Sequence, residues 1–363
     1  MNNIIIYDYY GAKLWSSGNL INNNAYFSAP MVDIYNRVVV CDNQKLLMID
    51  LNDFDNDGKN IEWMKSLSGN TPISPSITEN GVIILPTALG GVSAFDSTDG
   101  KFLYNINFPL SYSTCLNSPC INGNRLYILL HWLVVDVYYS RLYAVDVDPL
   151  ASEILHIVWT YDYMGQSQAT PTFIDGTLYF DSYISWNASA YIHAVIDLGS
   201  SYKLKWKIQC SGRTWFSFSK DPRGGFWYLD SDWFRPLNPG ARKAFHYTEN
   251  GNIIESIFPD ALINNGYQYI PMSVMEICGY NGRLIMILSA NYHDALYQVV
   301  KNYVIAVDLS SGNTLVWSKQ IENQSWMNYA GGQYTILMDN NGANPRIVFI
   351  KYQGGVNGVM AIG

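Results

Sequence analysis

Short apolar segments alternate with glycine-containing turns along most of the chain, and residues 74–104 show this pattern clearly. The four segments of this stretch are residues 74–78, 82–86, 92–96 and 101–104. Asn80-Gly81 lies between the first and second segments, and Asp99-Gly100 between the third and fourth. Such dipeptides favour the type I′ turns that join hairpin strands. Four short antiparallel strands within roughly 30 to 40 residues are typical of one β-propeller blade.

The same four-strand pattern recurs along the chain. Complete copies lie at residues 28–66, 74–106, 118–160, 170–208, 217–256 and 273–321. Residues 332–363 add three strands, and residues 3–17 carry one outer strand, so joining the two ends would complete a seventh copy and close the ring. The sequence therefore predicts an all-β fold, with residues 1–363 forming a single domain: a seven-bladed propeller of four-stranded antiparallel blades. Residues 4–8 and 359–362 both look like third strands, so eight blades is the alternative.

Aromatic residues recur about once per blade in the predicted outer strands. They are Trp15, Trp63, Tyr104, Trp159, Trp206 and Trp317. Such a row could stack on a ligand, but aromatic rings at equivalent repeat positions are more often packed between blades. We therefore predict a structural role for them.

Composition narrows the function. The net charge is −8 and the pI is about 5.0, whereas nucleic-acid binding requires a basic surface, so no nucleic-acid partner is expected. No apolar run approaches the roughly 18 residues that a membrane span needs. The first residues lack the pattern of a secretory signal, so we expect a cytoplasmic protein. The five cysteines lie mostly in strand-like segments and are expected to be buried thiols.

Two segments resemble a known repeat. Residues 94–104 (AFDSTDGKFLY) and 306–317 (AVDLSSGNTLVW) resemble the tryptophan-docking repeat of PQQ-like propellers, and residues 144–159 and 194–206 are looser copies. The resemblance implies a fold rather than a function. Quinone-dependent members of this family carry adjacent cysteines and have eight blades, and this chain has no adjacent cysteines. It is therefore more similar to the quinone-free outer-membrane assembly-factor type, and no quinone cofactor is expected.

Four predicted connections between second and third strands are long and rich in aromatic and charged residues. They are residues 131–141, 181–191, 230–242 and 290–302. In a propeller these connections open on one face, and long loops on a rigid scaffold commonly carry binding sites. The alternative is that they pack over the channel mouth or extend two-stranded ribbons above it.

The residues of these loops and of the inter-blade loops give two sets of candidates. For catalysis we predict His131, His293, Asp136, Asp294, Tyr139 and Arg141. For ligand binding we predict Tyr138, Tyr183, Trp186, Asp232, Trp233, Arg235, Arg213, Trp215, Tyr269, Tyr292 and Trp326.

These side chains suit a small organic molecule or a peptide as the ligand. His131 or His293 could act as general base or acid in a cofactor-independent lyase, isomerase or cyclase. No hydrolase, zinc-protease or nucleotide-binding motif is present. The alternative hypothesis is a non-catalytic scaffold that binds a protein partner, because Tyr, Trp and Arg are also typical interface anchors.

One segment resembles the beginning of a calcium-binding loop. Residues 53–58 read D-x-D-x-D-G, although Met64 stands where a bidentate acid would complete the loop. The predicted ligands of a structural calcium ion are Asp53, Asp55, Asp57, Lys59 (through its carbonyl) and Glu62. The alternative is an acidic hairpin turn.

Overall fold

The structure is a computed structural model that consists almost entirely of β-strands. It describes residues 5–7, 13–16, 31–33, 35, 37–41, 45–50, 60–67, 74–87, 90–108, 117–167, 169–184, 190–210, 218–230, 243–257, 263–264, 267–280, 282–293, 299–322, 334–337, 346–353 and 356–362. Only the backbone is described in residues 5–7, 13–16, 32, 230, 243, 263–264, 267–276, 278–280, 289–293, 299–304 and in the described residues after 316. Within these ranges the sole helical segment is a 3₁₀ turn at Leu309–Ser311.

The first half of the chain forms strands β1 to β14. They are β1 (Ile5–Tyr7), β2 (Lys13–Ser16), β3 (Met31–Val32), β4 (Arg37–Cys41), β5 (Lys45–Asp50), β6 (Ile61–Ser66), β7 (Ser76–Ile77), β8 (Val82–Pro86), β9 (Gly91–Asp96), β10 (Phe102–Asn107), β11 (Cys120–Asn122), β12 (Arg125–Val134), β13 (Val137–Val147) and β14 (Leu155–Met164).

The second half forms strands β15 to β30. They are β15 (Thr172–Ile174), β16 (Thr177–Tyr183), β17 (Ala190–Asp197), β18 (Tyr202–Cys210), β19 (Ser219–Lys220), β20 (Phe226–Asp230), β21 (Lys243–Tyr247), β22 (Ile253–Ile257), β23 (Ile263–Asn264), β24 (Tyr267–Tyr280), β25 (Arg283–His293), β26 (Val299–Asp308), β27 (Thr314–Glu322), β28 (Tyr334–Leu337), β29 (Arg346–Gln353) and β30 (Val356–Ile362).

Consecutive strands pair into antiparallel sheets, which confirms the all-β prediction. Each of the first five predicted repeats forms one four-stranded sheet, from β3–β6 through β19–β22, with the strands in sequence order. The sixth repeat is a five-stranded sheet, because the short strand β23 is added to β24–β27. Near the chain ends, β28–β30 form a three-stranded sheet and β1–β2 a hairpin. Strand β30 lies beside β1.

The chain divides into two compact units, one comprising residues 1–164, 198–202 and 333–363 and the other residues 165–197 and 203–332. In the first unit, apolar side chains pack sheet β3–β6 against β7–β10, and β7–β10 against β11–β14. In the second unit, β15–β18 packs against β19–β22, and β19–β22 against β23–β27. The second and third strands are therefore the most buried. The prediction of one domain over residues 1–363 stays a prediction.

Two tryptophans dock onto the neighbouring sheet, as predicted for the outer aromatic row. Trp63 donates from Nε1 to the carbonyl oxygen of Ser97 at 3.0 Å, and a Cβ added to Gly100 would lie 2.6 Å from the Trp63 ring. Trp206 repeats this arrangement, donating to the Glu249 carbonyl at 2.8 Å beside Gly251. Each ring thus packs on the turn between the third and fourth strands of the next sheet. Packing between blades is confirmed at these two positions.

The turns differ in detail from the prediction. At Asn80-Gly81 only the glycine has a positive φ, of 79°, and Gly81 N donates to the Thr78 carbonyl at 3.0 Å, so the predicted type I′ turn there is wrong. At Asp99-Gly100 likewise only the glycine has a positive φ. Two-residue turns with both φ values positive do occur at Asp175-Gly176 and at Val135-Asp136.

Candidate functional site

The predicted loop at residues 131–141 is a β-hairpin rather than an irregular loop. Strands β12 and β13 pair without interruption from Arg125↔Asp146 to Val134↔Val137. Only Val135 and Asp136 form the turn, with φ values of 46° and 64°. The ribbon alternative from the sequence is therefore the one that the structure supports here. We call residues 131–141 the β12–β13 hairpin.

One side of this hairpin, its aromatic face, carries Trp132, Tyr139 and Arg141. Trp132 and Tyr139 are cross-strand partners whose rings stack at 6.1 Å with an interplanar angle of 22°. The Arg141 guanidinium lies 6.0 Å from the centre of the Trp132 ring. Arg141 also donates two hydrogen bonds to Asp162 of β14, one from Nε to Oδ1 and one from Nη2 to Oδ2 at 2.7 Å. The hydrogen bond to Asp162 raises the pKa of Arg141 above its ordinary value, against the opposite effect of burial.

The opposite side of the hairpin carries His131, which is 1% exposed. Its Nδ1 lies 2.6 Å from the hydroxyl oxygen of Ser140, its direct cross-strand partner. Because side chains alternate between the two faces of a strand pair, His131 lies on the other side of the sheet from Tyr139 and Arg141. Asp136 is exposed in the turn. The predicted acid–base set of these four side chains is therefore not assembled around one point.

The end of the hairpin is apolar and exposed. The exposed fractions are 54% for Leu133, 46% for Val134 and 90% for Val135. Val135 has a positive φ, which a β-branched side chain adopts only at a cost in energy. We call these three residues the apolar tip. Tyr138, the cross-strand partner of Leu133, is half-buried.

Tyr183, predicted to bind a ligand, is almost completely buried instead. It closes strand β16 through two backbone hydrogen bonds with Gln166, at 2.9 and 3.0 Å. Gly165 makes this close approach possible, since an added Cβ would lie 2.9 Å from the Tyr183 carbonyl oxygen. Tyr183 is thus part of the core of its sheet.

The remaining candidates are only partly described. The ladder between β25 and β26 reaches the pair His293↔Val299, so most of the predicted loop at 290–302 is also ribbon. For His293, Tyr292 and Tyr269 the backbone alone is described, and all three lie in strands. The other predicted residues lie outside the described residues: Asp294, Trp186, Asp232, Trp233, Arg235, Arg213, Trp215, Trp326, Asp53, Asp55, Asp57 and Lys59.

Glu62 is the one predicted calcium ligand whose side chain is described. It lies on β6 and accepts a hydrogen bond of 3.0 Å from Nη1 of Arg37. Arg37 also binds Asp33 through Nε at 2.7 Å. Glu62 is therefore held by an arginine.

A polar cleft of about 440 Å³ lies beside this group, lined among others by Asp33, Arg37, Glu79 and Asp96. Two of its charged groups, Asp33 and Arg37, are hydrogen-bonded to each other. Asp96 accepts from the backbone of Thr98 at 2.7 Å. These groups stabilise turns, so the cleft offers few convergent polar groups to a ligand.

A charged cluster at the β19–β20 turn was not foreseen from the sequence. Asp221 is fully buried and accepts hydrogen bonds from Arg223 Nη2 and Trp227 Nε1, both at 2.7 Å. Arg223 also binds Glu255 of β22. His246 of β21 donates from Nε2 to the Gly224 carbonyl at 2.7 Å and lies with Nδ1 3.2 Å from Glu255 Oε1.

This cluster has the residue types of a metal site but already contains a cation. Ligand atoms of Asp221, His246 and Glu255 lie within 4.8 Å of one another. Nη2 of Arg223 contacts both carboxylates, so a metal ion would have to displace a guanidinium group. Burial alone would raise the pKa of Asp221, but hydrogen bonds from Arg223 and Trp227 and the nearby His246 lower it. The arrangement is therefore an internal ion-pair network.

A second set of polar side chains, which the sequence analysis did not predict, is buried at sheet β15–β18. The Ser182 hydroxyl lies 2.8 Å from Nε2 of His193, and Ser167 donates to Asp181 at 2.6 Å. All four residues are fully buried. Burial lowers the pKa of His193 to about 3, and the positive charge of Lys207 adds to this effect. A serine–histidine pair of this kind could activate a hydroxyl, but in this burial it has no access to a substrate.

Comparison with known proteins supports the fold. No protein-family model matches the chain, and no curated protein matches its sequence. The structure is similar to that of BamB from Moraxella catarrhalis, with a TM-score of 0.54 and 14% identity over 99% of this chain and 88% of that one. It is also similar to a europium-containing methanol dehydrogenase, with a TM-score of 0.50 and 11% identity over 92% of this chain and 86% of that one. At these identities the similarity concerns the fold alone.

Proposed function

We propose that this chain, which has the fold of the PQQ-like β-propellers, is a protein-binding scaffold that contacts its partner through the β12–β13 hairpin. The observation that carries the proposal is the exposed apolar tip, in which Val134 lies on the same side of the hairpin as Trp132, Tyr139 and Arg141. Exposed apolar groups beside Trp, Tyr and Arg are typical of the energetically dominant part of protein interfaces.

The hairpin is suited to binding because it is ordered before a partner arrives. The stacked pair Trp132–Tyr139 and the two-pronged contact of Arg141 with Asp162 restrict the rotamers of four side chains. Ordering a long side chain at an interface costs about 0.5–1.5 kcal/mol, and a preformed arrangement avoids that cost. The neutralised Arg141 also leaves this face without a net charge to desolvate.

We further propose that the sheets close into a seven-bladed ring. Six sheets in chain order would be six blades, and the three strands β28–β30 with the hairpin β1–β2 would form the seventh. The proximity of β30 and β1 supports this closure. The proposal includes no quinone, because none of the five cysteines is adjacent to another in the sequence.

Binding of a small organic molecule or a peptide on the same face is the second candidate, with the enzymatic hypothesis attached to it. Its support comes from the sequence of the loops, above all the aromatic and charged residues of 181–191 and 230–242. His131 is buried against Ser140, so general acid–base catalysis would depend on His293 or on a rearrangement of the hairpin. A metabolite that raises the unfolding temperature would support this candidate.

Site-specific photo-crosslinking tests the scaffold proposal. A photoreactive phenylalanine analogue at position 134, on the same side of the hairpin as Trp132, should capture a specific protein in the cell of origin. The control is the same analogue at Leu150, which is 94% exposed but lies on a turn after β13. The recovered protein is then purified, and Trp132→Ala should weaken its binding by at least about tenfold, as expected for an interface anchor. Identical capture profiles at the two positions would contradict the proposal.

Calcium stays part of the proposal as a structural ion at residues 53–59. The support is the D-x-D-x-D-G sequence. Calcium that binds the folded state alone would raise the unfolding temperature, and a chelator would reverse the effect. An unchanged unfolding temperature at millimolar calcium would contradict it.

A further inference from the structure

Strand β18 carries a row of lysines on one side. Lys203, Lys205 and Lys207 alternate with Leu204, Trp206 and Ile208, so the three lysines share one face of the strand. Trp206 and Ile208 pack on the core of the neighbouring sheet. Lys203 and Lys207 are exposed and Lys205 is half-buried. We call the three lysines the lysine row.

The lysine row has no internal counter-charge in the part of the chain that the structure describes. None of its three members takes part in a salt bridge there, whereas Lys220 pairs with Asp175 at 2.6 Å. Lys207 instead lies over an aromatic ring, with Nζ 4.4 Å from the centre of the Tyr191 ring. Three unpaired ammonium groups in line are unusual in a chain of net charge −8.

Strand β18 is also the outermost strand of its sheet, whose order is β15-β16-β17-β18. Its nine residues present one edge to which no described strand is paired. Lysines on an edge strand can serve simply to prevent aggregation. The other four-stranded sheets argue against that as the whole explanation. Their outer strands β10, β14 and β22 contain no lysine, and β6 contains one.

We propose that the edge of β18 binds an extended acidic segment of another protein by strand addition. An added strand would hydrogen-bond to the open edge, and its alternate side chains would repeat every 6.6 to 6.8 Å, roughly the spacing of the lysines. Acidic residues at every second position would then lie opposite Lys203, Lys205 and Lys207. This site is on a different sheet from the β12–β13 hairpin, so it does not depend on the function proposed above.

The probe is a fluorescein-labelled nine-residue peptide in which glutamate and threonine alternate, and binding is followed by fluorescence anisotropy. We expect binding that weakens as salt rises, because exposed charges are screened. Replacing the three lysines by glutamine should weaken binding roughly tenfold, since each exposed pair contributes a factor of about 1.5 to 5. Lys101→Gln, an exposed lysine in the turn before β10, is the matched control and should bind as the wild type does.

Two further peptides separate strand addition from general charge attraction. A peptide of the same composition with its glutamates in one block should bind more weakly. An alternating peptide with proline at the threonine positions, which lacks the backbone donor of every second residue, should also bind more weakly. Equal binding of all three peptides to the wild type would overturn the proposal. This comparison uses the wild-type protein alone, so it does not depend on whether the glutamine variant folds. The absence of binding by the alternating peptide to the wild type would overturn it too.

Discussion

Replacement of Gly100 by alanine tests the tryptophan docking that joins sheets β3–β6 and β7–β10. Gly100 lies in the turn before β10 with a φ of 68°, and a Cβ there would lie 2.6 Å from Cε3 and 2.8 Å from Cζ3 of Trp63. Real Cβ atoms do not approach a ring this closely, so Trp63 would have to move. Its hydrogen bond to Ser97 would be strained as a result.

The magnitude follows from two separable costs. Alanine in the left-handed region costs roughly 1–2 kcal/mol, partly offset by the lower entropy of the unfolded chain. Overpacking against a ring that cannot withdraw adds about 1–3 kcal/mol. Together we expect Gly100→Ala to lower the free energy of unfolding by about 2–4 kcal/mol.

Gly199 provides a matched control. It occupies the equivalent turn before β18 and has a φ of 88°, but no atom lies within 4 Å of an added Cβ. Gly199→Ala should therefore cost only the conformational part, about 1 kcal/mol. The measurement is urea-induced unfolding, monitored by circular dichroism, for both variants and the wild type.

A double-mutant cycle with Trp63→Ala completes the test. If the ring causes the additional loss, Gly100→Ala should cost no more than Gly199→Ala once Trp63 is absent. Equal destabilisation by the two glycine replacements in the wild-type background would refute the docking argument. So would a Gly100 effect that persists unchanged without Trp63.

Three further predictions concern other parts of the molecule. Burial lowers the pKa of His193 to about 3 from its ordinary 6.5, so between these pH values the unfolded chain binds a proton that the folded chain does not. The free energy of unfolding should therefore fall by up to about 1.4 kcal/mol per pH unit below pH 6.5. In urea unfolding at pH 7, 6 and 5, His193→Gln should lose less stability than the wild type, and an equal loss in the two proteins would contradict this. Val135→Asn with Asp136→Gly relieves the positive φ of the valine and should raise stability by about 1 kcal/mol, whereas a loss measured in the same way would show that the turn is not strained. Arg223→Ala leaves the buried Asp221 carboxylate without the arginine and should lower the free energy of unfolding by about 3–5 kcal/mol. Adding Asp221→Asn should recover most of this loss. A loss below about 1 kcal/mol, as for a surface ion pair, would contradict the network.

The repeat architecture could be predicted from the sequence because it depends on local signals. Strand β8 has the bounds expected from its apolar residues and flanking turns. The docking role of Trp63 also followed, since equivalent aromatic residues recur at one place per repeat. Such patterns report burial and chain reversal directly, and these determine where strands begin and end.

The candidate site was harder to predict because it depends on which residues face each other. Counting residues between β12 and β13 gave a long loop, whereas a two-residue turn at Val135-Asp136 makes it a hairpin. Val-Asp is not a typical type I′ sequence, so no turn signal was present. Once the register is known, alternation separates His131 from Arg141. The network of Asp221, His246 and Glu255 joins residues from three strands or turns, and such proximity leaves no local pattern.

The docking of Trp63 and Trp206 on the following sheet also gives the assembly a direction along the chain. Trp63 binds a carbonyl 34 residues later in the chain, and Trp206 one that is 43 residues later. At a synthesis rate of 5–20 residues per second, Trp63 waits roughly 2–7 seconds for its acceptor to appear. During that interval the most recently made blade keeps an unburied indole at its leading side. At these two positions the newly made sheet covers the ring of the sheet before it, so an exposed apolar surface persists on the nascent chain until translation supplies the acceptor.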